Sequence, residues 1–148
     1  MSDLLSGAFG AGTVSWVDAL RTAGELSVSL VAAGDDGDAV GYAAFSLVRL
    51  WDTAGWYLLS PLAVSKEWRR RGIGSSLVIE GLQRLQYLGA SGCLVVGLPE
   101  FYARFGFEPA PGLRGAEFQA RPNWGPVPEG SVTFAVPGFQ PLRSESSA

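Results

Sequence analysis

Apolar and polar positions along the first half of the chain follow a strand rhythm before they follow a helix rhythm. Residues 26–33, "LSVSLVAA", alternate apolar with small polar side chains, "GDDGD" at 34–38 supplies turn chemistry, and "AVGYAAFSLVRL" at 39–50 resumes the strand pattern. This predicts a β-hairpin with an acidic tip. Asp35, Asp36 and Asp38 lack the spacing and closing glutamate of a calcium loop, so the tip reads as a solvated turn. After a second turn, "WDTAG", residues 56–64, "WYLLSPLAV", form a continuous apolar run of the kind covered on both faces. Pro61 interrupts it, and because proline cannot donate to a ladder it predicts a bulge or a parting of the strand from a neighbour.

The period then changes. Ile73, Leu77, Gly81, Leu85 and Leu88 recur three or four apart, with Val78 and Leu82 widening the stripe, which predicts an amphipathic helix over 73–88 ended by Gly89. "CLVVG" at 93–97 reads as a short buried strand, "PEFYARFG" at 99–106 as a helix stopped by Gly106, and "GSVTFAVP" at 130–137 as a last strand. Residues 108–130, rich in Pro and Gly, take no clear assignment. Upstream, "SDLLSGAF" and "TVSWVDALRTAG" predict two short helices. The order gives an α+β (α/β layered) fold around a mixed sheet, with residues 56–97 as a right-handed parallel crossover. One domain over 1–136 and a flexible tail over 137–148 are expected.

Composition narrows the function. The 148 residues are 47% hydrophobic and 17% charged, as in folded chains, and a net charge of −3 offers no global positive field for a duplex or an anionic membrane. Histidine is absent and Cys93 is the only cysteine, which removes the commonest general base, any intrachain disulfide and multi-cysteine metal sites. No apolar run approaches the ~20 residues of a membrane span and no signal-peptide pattern opens the chain. The expectation is a reduced, cytoplasmic, metal-free protein.

The chemistry concentrates in "RRRGIGS". Arg69, Arg70, Arg71, Gly72, Ile73, Gly74 and Ser75 stand between a predicted strand and a predicted helix. Two glycines leave backbone N–H groups uncovered, and a helix N-terminus adds free donors and the positive end of a dipole, so a phosphate or pyrophosphate fits. The stretch matches neither GxxxxGK[ST] nor GxGxxG.

These residues fill the [QR]-x-x-G-x-[GA] signature, and with "SPLAVSKEW" before it and "VVGLPEFYARFGFEPA" after the helix the chain resembles the GNAT superfamily of acyl-CoA-dependent N-acetyltransferases, in its bacterial branch with a PLAV…RRGIG…FYxRFGF pattern. The resemblance covers residues about 25 to 110. It implies a mixed, mostly antiparallel central sheet with helices on both faces and splayed central strands. It also implies acetyl-CoA as cosubstrate, with the pantetheine arm along Leu62, Ala63 and Val64, and the pyrophosphate on the amides of residues 69–75, reinforced by the side chains of Arg69 and Arg71.

Tyr102 matches the tyrosine that in many members protonates the leaving thiolate. A phenol holds its proton to about 10 and a thiol to about 8.5, so the transfer suits neutral pH; the same ring also suits a packing role, as Phe101, Phe105 and Phe107 do. The implied reaction is direct attack by a primary amine, of a small molecule or a protein, on the thioester, with the oxyanion near a backbone N–H of Leu59 or Ser60 and no covalent enzyme intermediate. Glu100, Glu25, Asp52 and water are candidates for deprotonating the amine, Glu100 suiting equally the first turn of a helix. Phe9, Trp51 and Trp56 suit either an acceptor pocket or the core. Cys93, with no histidine to activate it, reads as buried core.

The chain departs from the family by beginning at a helix, without the usual first strand. That leaves a sheet edge to be covered, or paired in a homodimer. Beside the acetyltransferase stands a non-catalytic CoA-sensing or protein-interaction module on the same fold. Nucleic-acid binding through Arg69–Arg71 lacks both the charge and the interleaved aromatics.

Overall fold

Strands β1 (Leu26–Ala33) and β2 (Ala39–Leu47) form the expected antiparallel hairpin, and β3 (Trp56–Val64) adds antiparallel to β2. The structure, a computed structural model, describes residues 26–34, 37, 39–50 and 53–133. The two upstream helices, the aspartates of the hairpin tip, Phe9, Glu25, Trp51 and Asp52 lie outside them. Among the described residues β1 is the outermost strand on its side of the sheet.

The expected bulge sits at Pro61. Ala43 pairs with Leu62 but Phe45 pairs with Leu59, so Ser60 and Pro61 together face Ala44 alone. The Ser60–Pro61 peptide is cis.

Helix α1 (Ile73–Tyr87) buries Gly74, Leu77, Val78, Gly81, Leu82 and Leu85; of the predicted stripe Ile73 is half-buried and Leu88, where the helix stops, is exposed, and Gly89 follows in a left-handed conformation with φ of 83°. It lies close on the sheet because glycines stand at the contacts. A Cβ at Gly81 would strike the Phe45 ring, and one at Gly41 would approach Ile73 at 2.9 Å.

Strand β4 (Gly92–Val96) returns parallel to β3, as the crossover requires. A short helix α2 (Pro99–Ala103) follows, then β5 (Glu108–Pro109), β6 (Leu113–Arg114), β7 (Phe118–Pro122) and β8 (Gly130–Ser131). The sheet runs β1-β2-β3-β4-β7-β5, with β6 and β8 as a separate pair. Strand β7 falls inside the region that took no assignment from sequence. The expected last strand at 130–137 is, within the described residues, only β8 and an isolated bridge from Thr133 to Arg49.

Alternation along β4 divides the core. Cys93 and Val95 face Leu77, Val78, Leu82 and Leu85 of α1, whereas Leu94 and Val96 face Trp56, Leu58, Phe118 and Ala120. Trp56 is 1% exposed, which makes it core and not pocket lining. Among the described residues no helix is long and apolar enough to cross a membrane.

Candidate functional site

Strands β3 and β4 pair over Trp56–Gly92, Tyr57–Cys93 and Leu58–Leu94, and there the pairing ends. Past that point each strand is held by its outer neighbour. Strand β3 continues on β2 through Leu62–Ala43, Ala63–Tyr42 and Val64–Gly41, while β4 continues on β7 through Val95–Gln119 and Val96–Phe118. The result is a wedge whose two inner backbone edges have no strand partner among the described residues, open to a ligand that brings its own donors and acceptors. Leu62, Ala63 and Val64 form one wall of it.

The chain leaves β3 at Ser65, whose amide donates to Val40 O at 2.7 Å, and passes through a 3-10 turn, Lys66–Trp68, into the arginine run. Trp68 anchors this turn: its ring closes on Gly34, where a Cβ would meet it at 3.0 Å, and Arg71 lies over it at 4.7 Å. Arg70 (φ 65°) and Gly72 (φ 82°) both adopt left-handed backbone, which turns the chain into α1. Glycine carries no steric cost at that φ, and nothing lies within 4 Å of the Gly72 Cβ position.

The expected donors are uncovered. Ser76 N–H, bonded to Gly72 O at 3.0 Å, is the first amide of α1 to find a backbone acceptor; among the described residues none is recorded for Arg70 through Ser75. The first turn of α1 holds no acidic side chain to offset the positive end of the helix dipole. An anion is the natural complement.

Arg69 holds the loop to the strand that precedes it. Its Nε donates to Val64 O at 3.0 Å, which ties the end of the wedge wall to the start of the loop. Arg71, stacked on Trp68, and Arg70 remain exposed on the rim.

Tyr102 lies on α2, its amide bonded to Leu98 O at 3.0 Å. The ring is 0% exposed and meets Phe101 and Phe107 edge-on at 5.0 and 5.5 Å. Phe107 is core, while Phe101 and Phe105 are half-buried under the Arg104 guanidinium. Tyr102 and Leu62 belong to one packed cluster with Leu59, Cys93 and Val95, the residues around the point where β3 and β4 part.

Burial pushes the Cys93 thiol up to about 12, against the smaller opposing effects of the Leu59 backbone, the Arg121 charge and the Leu94 backbone. It is a neutral packing group at working pH. Glu100 is exposed in the first turn of α2. Among the described residues no cluster of His, Cys, Asp or Glu has the makings of a metal site.

Sequence reading passed over Glu117 and Gln119, because the segment that presents them, β7 and the residue before it, was itself unassigned. With Gly97, Pro99 and Phe118 they line a cavity of about 390 Å³ on the far side of β4.

The family model described as "Acetyltransferase (GNAT) domain" matches residues 26–109. The chain is 41% identical over 90 residues, 60% of its length, to an uncharacterized N-acetyltransferase, YhbS, of Escherichia coli K12, and 34% identical over 83 residues to YjhQ of the same strain. These matches span 54% and 46% of the relatives, so the aligned segment is about half the length of the curated relatives it matches. The solved structure of Escherichia coli YhbS in complex with CoA superposes with a TM-score of 0.79 at 35% identity, covering 88% of this chain and 80% of that one. A GNAT acetyltransferase of Brucella melitensis in complex with acetyl-CoA gives a TM-score of 0.79 at 36% identity over 90% of this chain and 86% of that one. With the splayed strands, the arginine-glycine loop and these likenesses in agreement, the chain belongs to the GNAT acetyltransferase family.

Proposed function

We propose that the chain is an acetyl-CoA-dependent N-acetyltransferase that transfers the acetyl group to a primary amine by direct attack within a ternary complex. The observation that carries the reading is the wedge between β3 and β4 leading to the open amides of residues 70–75. A pantetheine arm, with amide donors and acceptors along its length, complements the free edge at Leu62, Ala63 and Val64. The pyrophosphate then reaches the helix N-terminus, where the arginine rim adds charge. The relatives solved with CoA and acetyl-CoA support the same ligand here.

In the transfer, the amine nitrogen forms its bond to the carbonyl carbon as the C–S bond breaks. The proton from the attacking amine passes to water or a carboxylate, and the thiolate takes a proton from the Tyr102 phenol. This reading assigns the oxyanion to a backbone N–H of Leu59 or Ser60, the residues at the bulge in β3.

Calorimetry with acetyl-CoA tests the reading. Binding at sub-millimolar concentration with a 1:1 stoichiometry is expected, and a flat titration overturns it. The non-catalytic alternative draws on the complete burial of Tyr102. It predicts CoA binding without thiol release across a broad amine panel, and no effect of Tyr102→Phe.

A further inference from the structure

On the helical face of the sheet an open cavity of about 460 Å³ lies between α1 and the turn that follows α2. Its walls are Ile79, Leu82 and Gln83 of α1, Arg104 and Phe105 after α2, and Arg121 of β7. The open amides before α1 belong to the other end of that helix: Gln83 stands roughly 13 Å further along it than Gly74. The floor is apolar, with Leu82 buried, Phe105 half-buried and Ile79 48% exposed.

Both arginines are held by contacts that leave most of their five N–H donors unspent. Arg104 Nε donates to Phe101 O at 3.4 Å, and its guanidinium lies over the Phe101 and Phe105 rings at 4.8 and 5.7 Å. Arg121 Nη1 donates to Asn123 Oδ1 at 2.9 Å, and Asn123 is itself fixed by its amide on Ser91 O at 2.8 Å and its Nδ2 on Ala90 O at 3.0 Å. The Arg121 side chain crosses Gly106, where a Cβ would come within 3.3 Å of Nε, so the glycine admits it to the turn that carries Arg104. Neither charge is answered. Glu80, the one acidic residue of α1, is taken by Arg84 at 3.3 Å, and no carboxylate lines the cavity. Among the described residues neither Arg104 nor Arg121 has an acidic partner, Glu100 four positions before Arg104 included. Two guanidiniums gathered at one cavity without an acid repel each other, and an anion between them turns that repulsion into attraction.

We propose that this cavity binds a small organic anion, one carboxylate or phosphate group on an apolar body. The oxyanion takes the free donors of Arg104 and Arg121, with the Gln83 amide as a further donor, and the body lies on Ile79, Leu82 and Phe105. The site is separate from the wedge, and it stands whether or not the chain transfers an acetyl group.

The test is a calorimetric titration of phenyl phosphate, phenylacetate, the uncharged phenylacetamide and inorganic phosphate into the full chain. Each is run with and without saturating CoA, because the open amides of residues 70–75 also attract phosphate. At least one of the two aromatic anions is expected to bind more tightly than phenylacetamide, and the tighter of them names the oxyanion. Phenyl phosphate is expected to exceed inorganic phosphate about fivefold through its apolar body. Arg104→Gln, at an exposed position, is expected to weaken the bound anion about three- to fivefold and leave phenylacetamide unchanged. Arg121→Gln, half-buried, is expected to weaken it about tenfold. Anion binding no tighter than that of the amide, indifferent to Arg104→Gln, or abolished by CoA overturns the proposal, and the Arg104 arm holds even if Arg121→Gln fails to fold. The two readings fail separately: absence of CoA binding sinks the acetyltransferase, whereas anion binding that ignores Arg104→Gln sinks this site.

Discussion

At the scale of single residues, Tyr102 is the sharpest case because packing and chemistry make different demands on the same ring. Its ring contacts with Phe101 and Phe107 do not involve the hydroxyl, so Tyr102→Phe keeps those contacts while removing the proton donor. Steady-state kinetics on the variant are expected to show kcat reduced by roughly a hundredfold with the acetyl-CoA KM little changed. A variant with unaltered kcat assigns the ring to packing. Cys93 offers a test by pH. Its thiol ionises at an ordinary 9.0 when unfolded and at about 12 when folded, so the folded chain holds the proton more tightly. Stability from this group is intact below pH 9.0 and is lost as the pH rises toward 12, with a slope of up to about 1.4 kcal/mol per pH unit. Urea unfolding of the wild type between pH 8.5 and 10.5 is expected to show that extra slope relative to Cys93→Ala. Parallel curves count against it. Arg69 acts through Val64: Arg69→Met leaves that carbonyl without its donor and is expected to weaken CoA binding several-fold, whereas Arg69→Gln retains an N–H and recovers part of the loss.

At the scale of elements, α1 shows why a glycine inside a helix can stabilise the whole. Gly81 has a poor helix propensity, yet a side chain there would run into Phe45, so the residue sets how closely α1 approaches β2. Gly81→Ala is expected to cost about 1–3 kcal/mol of stability by chemical denaturation, and pairing it with Phe45→Leu to return part of that cost. An additive double variant counts against the contact. The strands β1, β2 and β3, helix α1 and strand β4 were legible in the sequence because each carries an unbroken period of adequate length, and the bulge was legible because Pro61 breaks one. Strand β7 was not. "FQARP" has only five residues between Gly115 and the Pro122–Asn123 exit, and what makes it a strand is its pairing with β4, more than twenty positions away. Glu117 and Gln119 went unseen for the same reason: their significance lies in Gly97 and Pro99 across the sheet. The proposed CoA cradle, by contrast, is one contiguous stretch, and local glycine chemistry sufficed to suggest it.

At the scale of the molecule, the wedge separates two halves of the sheet that share only three residue pairs between β3 and β4. On the proposed reading a ligand in the wedge bonds to β3 along its length and to the N-terminus of α1 at its end, and α1 packs across β1, β2, β3 and β4. Binding therefore adds contacts that the unfolded chain cannot make, and stability must rise with ligand concentration. At a hundredfold excess over Kd the gain is about 2.7 kcal/mol. For a domain of this size that corresponds to a rise in Tm of roughly 5–10 °C. The fragments of the ligand separate the two contacts. Pantetheine carries the amides that complement the free edge of β3 but lacks the pyrophosphate for residues 70–75, so at the same molar concentration it is expected to raise Tm by only about 2 °C, because charge-assisted bonds at the helix N-terminus are the stronger ones. Thermal scans with CoA, pantetheine and no ligand make the comparison directly. A pantetheine shift equal to that of CoA places the binding energy on the strand alone and removes the arginine-glycine loop from the site.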